Sequence, residues 1–249
     1  MDTKIKKNKV PINRKDRVVV ALDLDDVQNC KRVLSILKGK VAIFKIGMEL
    51  FTACGPKAIE LVHKAGAKVF LDLKYHDIPN TVAAACRMAT RMGVFMINVH
   101  TSGGLQMMKW AAEHTAAEAK RLGIPKPILL GVTILTSLTE QEIRDEIGIE
   151  RPMKDEVLHL AKMAKKAGLD GVVASAHELE PIKQKVGKDF VVVTPGIRPA
   201  WYVTGSDQKR VMTPKMAFDA GADYIVIGRP IVQDPRPAKA CEKVFEELN

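Results

Sequence analysis

Eight short runs rich in Val, Ile and Leu punctuate this chain: RVVVALD (17–23), VAIFKIG (41–47), KVFLDLK (68–74), VFMINVH (94–100), PILLGVT (127–133), GVVAS (171–175), FVVVT (190–194) and YIVIG (224–228). Their near-continuous apolarity, in place of strict alternation, is the pattern of strands buried on both faces, which a parallel sheet covered by helices requires. Amphipathic stretches of helical length separate most of them. DVQNCKRVLSILKG, NTVAAACRMATRMG and GGLQMMKWAAEHTAAEAKRLG each close on a Gly suited to a helix C-terminus. Eight such units in about 230 residues match the count and size of a (β/α)8 TIM barrel, an α/β fold built as one domain. A doubly wound open sheet is the alternative, but LDLDDVQ stands where a GxGxxG turn would follow the first strand. The longest departure from the alternation, TSLTEQEIRDEIGIERPM (136–153), predicts an extra short helix after the fifth strand, with Thr139 and Glu142 spaced as a capping box.

A chain of 249 residues with 47% hydrophobic content can bury a sizeable core. No apolar stretch reaches the roughly 20 residues of a membrane span, and the basic start has no apolar run behind it. A soluble, cytoplasmic protein with no membrane partner is expected. Cys30, Cys54, Cys86 and Cys241 are scattered, without a CxxC pair or a His at zinc-ligand spacing, so they read as reduced, mostly buried small hydrophobes. Half of the +10 net charge lies in residues 1–17, where seven Lys or Arg face two Asp. Residues 1–16 are therefore read as a basic, solvated arm ahead of a barrel domain spanning 17–249. No nucleic-acid-binding motif accompanies the arm, and no nucleic-acid partner is expected.

In such a barrel the chemistry belongs at the C-terminal ends of the strands, and polar residues gather there. Asp23 ends the first run, Lys45 lies near the end of the second, Asp72 and Lys74 end the third, Asn98 and His100 the fourth, Thr133 and Thr136 follow the fifth and Arg229 follows the eighth. Alternation along a strand puts Asp72 and Lys74 on one face and Leu71 and Leu73 on the other. The leucines suit the helix layer, so the ions point inward, where Lys45 and Asp23 join them. Mutual neutralisation alone would explain such a network, but buried ion pairs add little that apolar residues would not supply. Four ions at one mouth therefore point to function.

The string LDLKYHDIPNTV, with ALDLDD, FKIG, NVHTSGG, VTILTSL, TPGIRP and VIGRPI, closely resembles the orotidine 5′-phosphate decarboxylases over residues 17 to 235. A lone DxKxxD is shared with related sugar-phosphate decarboxylases and aldolases; the longer string is specific. The resemblance implies loss of CO2 from C6 of orotidine 5′-monophosphate to give UMP, with no cofactor and no metal. It implies that Lys74 protonates C6, that Asp72 sits beside the departing carboxylate, and that Asp77 enters the neighbouring site of a homodimer. Lys45 and Asp23 would contact the ribose hydroxyls, Lys45 also serving the catalytic charge network. Ile78 and Thr81 would line the shared site, and Thr136 would meet the pyrimidine. Arg198, Gln208, Gly228 and Arg229 would hold the phosphate, although the loop PGIRPAWYVTGSD is one residue longer than the family's usual spacing between Arg198 and Gln208.

His76 and His100 read as structural residues of the barrel rim. The remaining histidines, His63, His114, His159 and His177, fall on helical stretches and form no ligand set, and the helical methionines read as core packing.

Overall fold

The eight apolar runs form eight strands that close into a barrel in sequence order: β1 (Val18–Ala21), β2 (Ile43–Gly47), β3 (Lys68–Tyr75), β4 (Met96–His100), β5 (Ile128–Val132), β6 (Gly171–Val173), β7 (Val191–Thr194) and β8 (Tyr224–Ile227). The computed structural model describes residues 13–202 and 212–248. Neighbouring strands are all parallel, and β8 pairs back onto β1 through Val18↔Ile225 and Val19↔Val226. Every residue of β1, β5 and β8 is buried, because the barrel fills one face and helices cover the other.

Two apolar clusters follow from the alternation of strand side chains. Val19, Ala21, Ile43, Phe70, Met96, Leu130, Val193, Tyr224 and Val226 pack inside the barrel. Their neighbours Val18, Val20, Phe44, Ile46, Val69, Leu71 and Ile97 belong to the larger cluster against the helices. The helix layer contains α1 (Val27–Leu37), α2 (Met48–Cys54), α3 (Lys57–Lys64), α4 (Pro79–Arg91), α5 (Gly104–Leu122), α6 (Glu140–Asp145), α7 (Met153–Lys166), α8 (Leu179–Lys185), α9 (Pro214–Asp219), α10 (Arg229–Val232) and α11 (Pro237–Glu246). Asp26 caps α1 by accepting the Gln28 and Asn29 N–H groups, and Gly123 ends α5 in the left-handed conformation at φ 67°. The short helix foreseen after β5 is α6, and its capping box is formed: Thr139 Oγ1 accepts the Glu142 N–H at 3.2 Å while Glu142 Oε2 accepts the Thr139 N–H at 2.7 Å.

Residues 1–12 of the basic segment lie outside the described residues. Its last part, Arg14–Arg17, forms a 3-10 turn on the lower rim, where Arg14 donates to the Leu248 carbonyl at 2.9 Å and pairs with Asp219 at 2.6 Å. All four cysteines are free thiols, and Cys30, Cys86 and Cys241 are buried. Burial pushes the Cys86 and Cys241 thiols up to about 12 and Cys30 up to about 11, which leaves them as packing groups without thiolate character. Among the described residues no helix is long and apolar enough to cross a membrane.

Candidate active site

The strand register assembles the charged groups. Ala21 is level with Lys45, and Gly47 is level with Asp72, so the β1, β2 and β3 ends present their polar side chains to one space. There they form a chain of ion pairs: Asp23 Oδ1 to Lys45 Nζ at 3.0 Å, Lys45 Nζ to Asp72 Oδ2 at 3.3 Å, and Asp72 Oδ1 to Lys74 Nζ at 2.8 Å. Exposure grades along it, from 12% for the Asp72 side chain and 13% for Lys45 to 25% for Lys74 and 47% for Asp23. The central carboxylate is therefore the group most removed from water.

Burial pushes the Asp72 carboxyl upward, but Lys45, Lys74 and the Asn98 amide outweigh it and hold the group below the usual carboxylate range. Asp72 accordingly stays ionised through neutral and mildly acidic pH. Its stabilising share is present above the unfolded carboxylate range and is lost as pH falls through the lowered folded value. His100 is held below the ordinary imidazole range by burial and by the neighbouring His76 and Lys74, with Asp72 opposing. Its ring lies 5.3 Å from that of His76.

Lys74 is placed by an irregularity that strand alternation does not disclose. Between the pairs Leu71↔Ile97 and Tyr75↔Val99, three residues of β3 pass one residue of β4. Lys74 adopts φ 50°, the sole non-glycine residue with positive φ among those described. Opposite it stands Asn98, 1% exposed. The Asn98 Oδ1 accepts the Lys74 backbone N–H at 2.8 Å, and its Nδ2 donates to Asp72 Oδ1 at 2.6 Å. The candidate set read from the sequence omits Asn98 as a site residue, yet a signal was available: an amide at inward parity in the otherwise apolar run VFMINV.

These ions floor a cavity of about 310 Å³, within the size range of small-molecule sites. Asp23, Lys45, Asp72, Lys74, Thr136, Arg198, Gly228 and Arg229 all line it, together with the apolar Ile134, Leu135 and Ile197 and with Tyr202. The carboxylates and ammonium groups come from β1 to β3, and the two guanidinium-bearing residues from the segments after β7 and β8. Asp77, Ile78 and Thr81 are exposed and lie outside the cavity, on the loop before α4 and its first turn. Asp77 Oδ1 accepts the Ile78 N–H at 2.6 Å, and Ile78 is 66% exposed. Gln208 lies outside the described residues. A larger hollow, about 390 Å³, opens at the N-terminal ends of β5 to β7. There Lys126 is paired with Asp170 and Lys165 is bonded to the Val186 carbonyl, so these three charges serve the local structure. The mouth, not this hollow, carries convergent reactive groups.

A family model described as orotidine 5′-phosphate decarboxylase / HUMPS family matches residues 16–244. A protein of Syntrophomonas wolfei subsp. wolfei named orotidine 5′-phosphate decarboxylase is 46% identical over 234 residues, covering 94% of this chain and 98% of that one. One of the same name from Moorella thermoacetica is 46% identical over 239 residues, covering 96% and 94%. The crystal structure of orotidine 5′-phosphate decarboxylase from Lactobacillus acidophilus superposes with a TM-score of 0.82 at 41% identity, covering 94% of this chain and 99% of that one. With the match running through every strand that lines the charged mouth, the chain belongs to the orotidine 5′-phosphate decarboxylase / HUMPS family.

Proposed function

We propose that the charged mouth decarboxylates orotidine 5′-monophosphate to UMP and CO2, with Lys74 as the proton donor and no cofactor. The observation that carries this reading is the Lys45–Asp72–Lys74 ion chain in the floor of a cavity that Arg198 and Arg229 also line. The C6–carboxylate bond breaks, its electron pair stays in the ring plane at C6, CO2 leaves, and the Lys74 Nζ proton passes to C6.

That electron pair is poorly delocalised by the ring π-system, so an oriented positive charge at C6 is the main resource. Two unit charges about 4 Å apart at an effective dielectric near 20 interact by roughly 4 kcal/mol. Such a charge costs no reorganisation at the moment of reaction because Asp72 and the Asn98 amide already fix it. Repulsion between Asp72 and the substrate carboxylate adds to the effect, though it cannot meet the demand alone. Lys45 and Asp23 are assigned to the ribose hydroxyls, Thr136 to the base, and Arg198, Gly228 and Arg229 with Gln208 to the phosphate. Guanidinium groups match a phosphate, and the ends of the last two barrel strands are where barrels commonly bind one. Binding energy from this nonreacting handle holds the base against Lys74.

Asp77, Ile78 and Thr81 are exposed and do not line their own cavity, which supports a homodimer in which each subunit lends these residues to its partner's site. Turnover is tested by the fall in orotidylate absorbance in the presence of EDTA. Undiminished turnover is expected, whereas turnover of a keto-sugar phosphate that EDTA abolishes would replace this reading with that of a metal-dependent lyase.

Gly47 supplies a subtler check. A Cβ there would lie 2.9 Å from Lys45 Nζ and 3.4 Å from Asp23 Oδ1. Gly47→Ala is expected to push the ammonium aside and lower kcat/KM by about tenfold to a hundredfold, since small displacements in a reacting site cost that much. An unchanged kcat/KM would remove Lys45 from the assigned set.

A further inference from the structure

From the closed ring of hydrogen bonds around Lys74, we infer that Asn98 is a positioning residue for the proton donor, an inference that rests on the decarboxylase reading above. Lys74 needs positioning at both of its ends. Its backbone sits at φ 50°, a conformation that side chains of L-residues disfavour and that nothing in a lysine itself promotes. The widened ladder between β3 and β4 leaves its N–H without a regular partner, and the Asn98 Oδ1 takes that place at 2.8 Å. At the other end, Lys74 Nζ meets Asp72 Oδ1 at 2.8 Å, the same oxygen that receives Asn98 Nδ2 at 2.6 Å. One amide thus holds the start of the lysine and the carboxylate that aims its tip.

The amide has one workable orientation. Reversed, it would set its NH2 against the Lys74 N–H and its oxygen against a carboxylate, opposing like with like at both contacts. Asn98 is 1% exposed and is not among the described residues that line the cavity, so its action on the substrate passes through Lys74 and Asp72. An apolar residue of similar size would suit the barrel interior equally well, which is the environment of Met96 on the same face of β4 and of Leu130, level with Asn98 on β5. The amide is there for its two bonds.

Asn98→Leu and Asn98→Asp separate aim from mere packing. Orotidylate turnover, UMP affinity by calorimetry and Tm are measured on both variants beside the wild-type protein. For Asn98→Leu, kcat is expected to fall about a hundredfold, while the UMP Kd stays within about threefold because the phosphate and ribose contacts are untouched.

Asn98→Asp keeps the acceptor for the Lys74 N–H but sets a second carboxyl against Asp72. The groups facing it are Asp72 and Lys74 on β3, Lys45 on β2 with Asp23 beyond it on β1, and His100 at the end of β4 with His76 against it. The carboxylate at hydrogen-bond distance is the closest charge and raises the introduced group's pKa. Only the protonated form donates to Asp72 as the amide does. The kcat of Asn98→Asp is therefore expected to fall as pH rises through this ionisation, a limb absent from the wild-type profile.

A kcat for Asn98→Leu within about threefold of wild type, or UMP affinity lost in parallel with kcat, overturns the inference. If Asn98→Leu fails to fold, Asn98→Asp decides alone, and a pH profile parallel to wild type overturns it. Wild-type protein that binds UMP without consuming orotidylate overturns the decarboxylase reading instead.

Discussion

Lys74→Ala is expected to lower orotidylate turnover by more than about 10⁴-fold, because one side chain is asked to supply both the proton and the charge that stabilises the carbanion. Nucleotide binding should survive, since Arg198, Arg229 and Thr136 lie on other segments of the cavity wall. UMP affinity measured by calorimetry is expected to stay within about tenfold of wild type. Truncation also removes the partner that Asp72 holds at 2.8 Å, leaving Lys45 at 3.3 Å as its sole ammonium. The variant therefore tests placement as well as chemistry. Turnover retained to within a hundredfold of wild type would show that another group protonates C6, and the assigned role would fall.

The second large effect comes from mixing two inactive variants. Lys74→Ala lacks the proton donor in its own cavity, and Asp77→Ala lacks the residue proposed to reach across to the neighbour's. Each alone is expected to be inactive. In a heterodimer one site combines the intact Lys74 of one subunit with the intact Asp77 of the other, while the second site lacks both. Random reassociation of equal amounts makes half of the dimers mixed with one working site each, so activity should recover to about a quarter of wild type. The exposed placement of Asp77, Ile78 and Thr81 outside their own cavity is the basis for this expectation. Verified heterodimers without recovered activity would mean that each subunit works by itself.

The fold was legible because a closed parallel sheet writes itself into sequence: strands covered on both faces become unbroken apolar runs, and each of the eight runs contains its observed strand or falls within a residue of it. The charged floor was legible for a related reason. An ion at inward parity has no place in such a run unless it is used, and Asp72 and Lys74 flank Leu73 in that manner. What escaped notice was local backbone. A left-handed residue is usually announced by Gly or Asn, and here it is a lysine whose conformation is imposed by its surroundings. The widened β3–β4 ladder leaves no mark on the composition of either strand. Asn98 stood among the polar strand ends but without a role, because its importance lies in two bonds to groups more than 20 residues earlier in the chain, a relation visible only once β4 lies beside β3.

The reacting groups and the guanidinium groups stand far apart in the chain, Asp23 to Lys74 in its first third and Arg198 and Arg229 in its last quarter. A ribosome therefore completes the segment bearing the proton donor long before the anchor for the nucleotide exists. The barrel's final strands, closing against β1, bring grip and chemistry into one cavity, so no pocket able to hold the whole nucleotide exists in a chain until its barrel has closed.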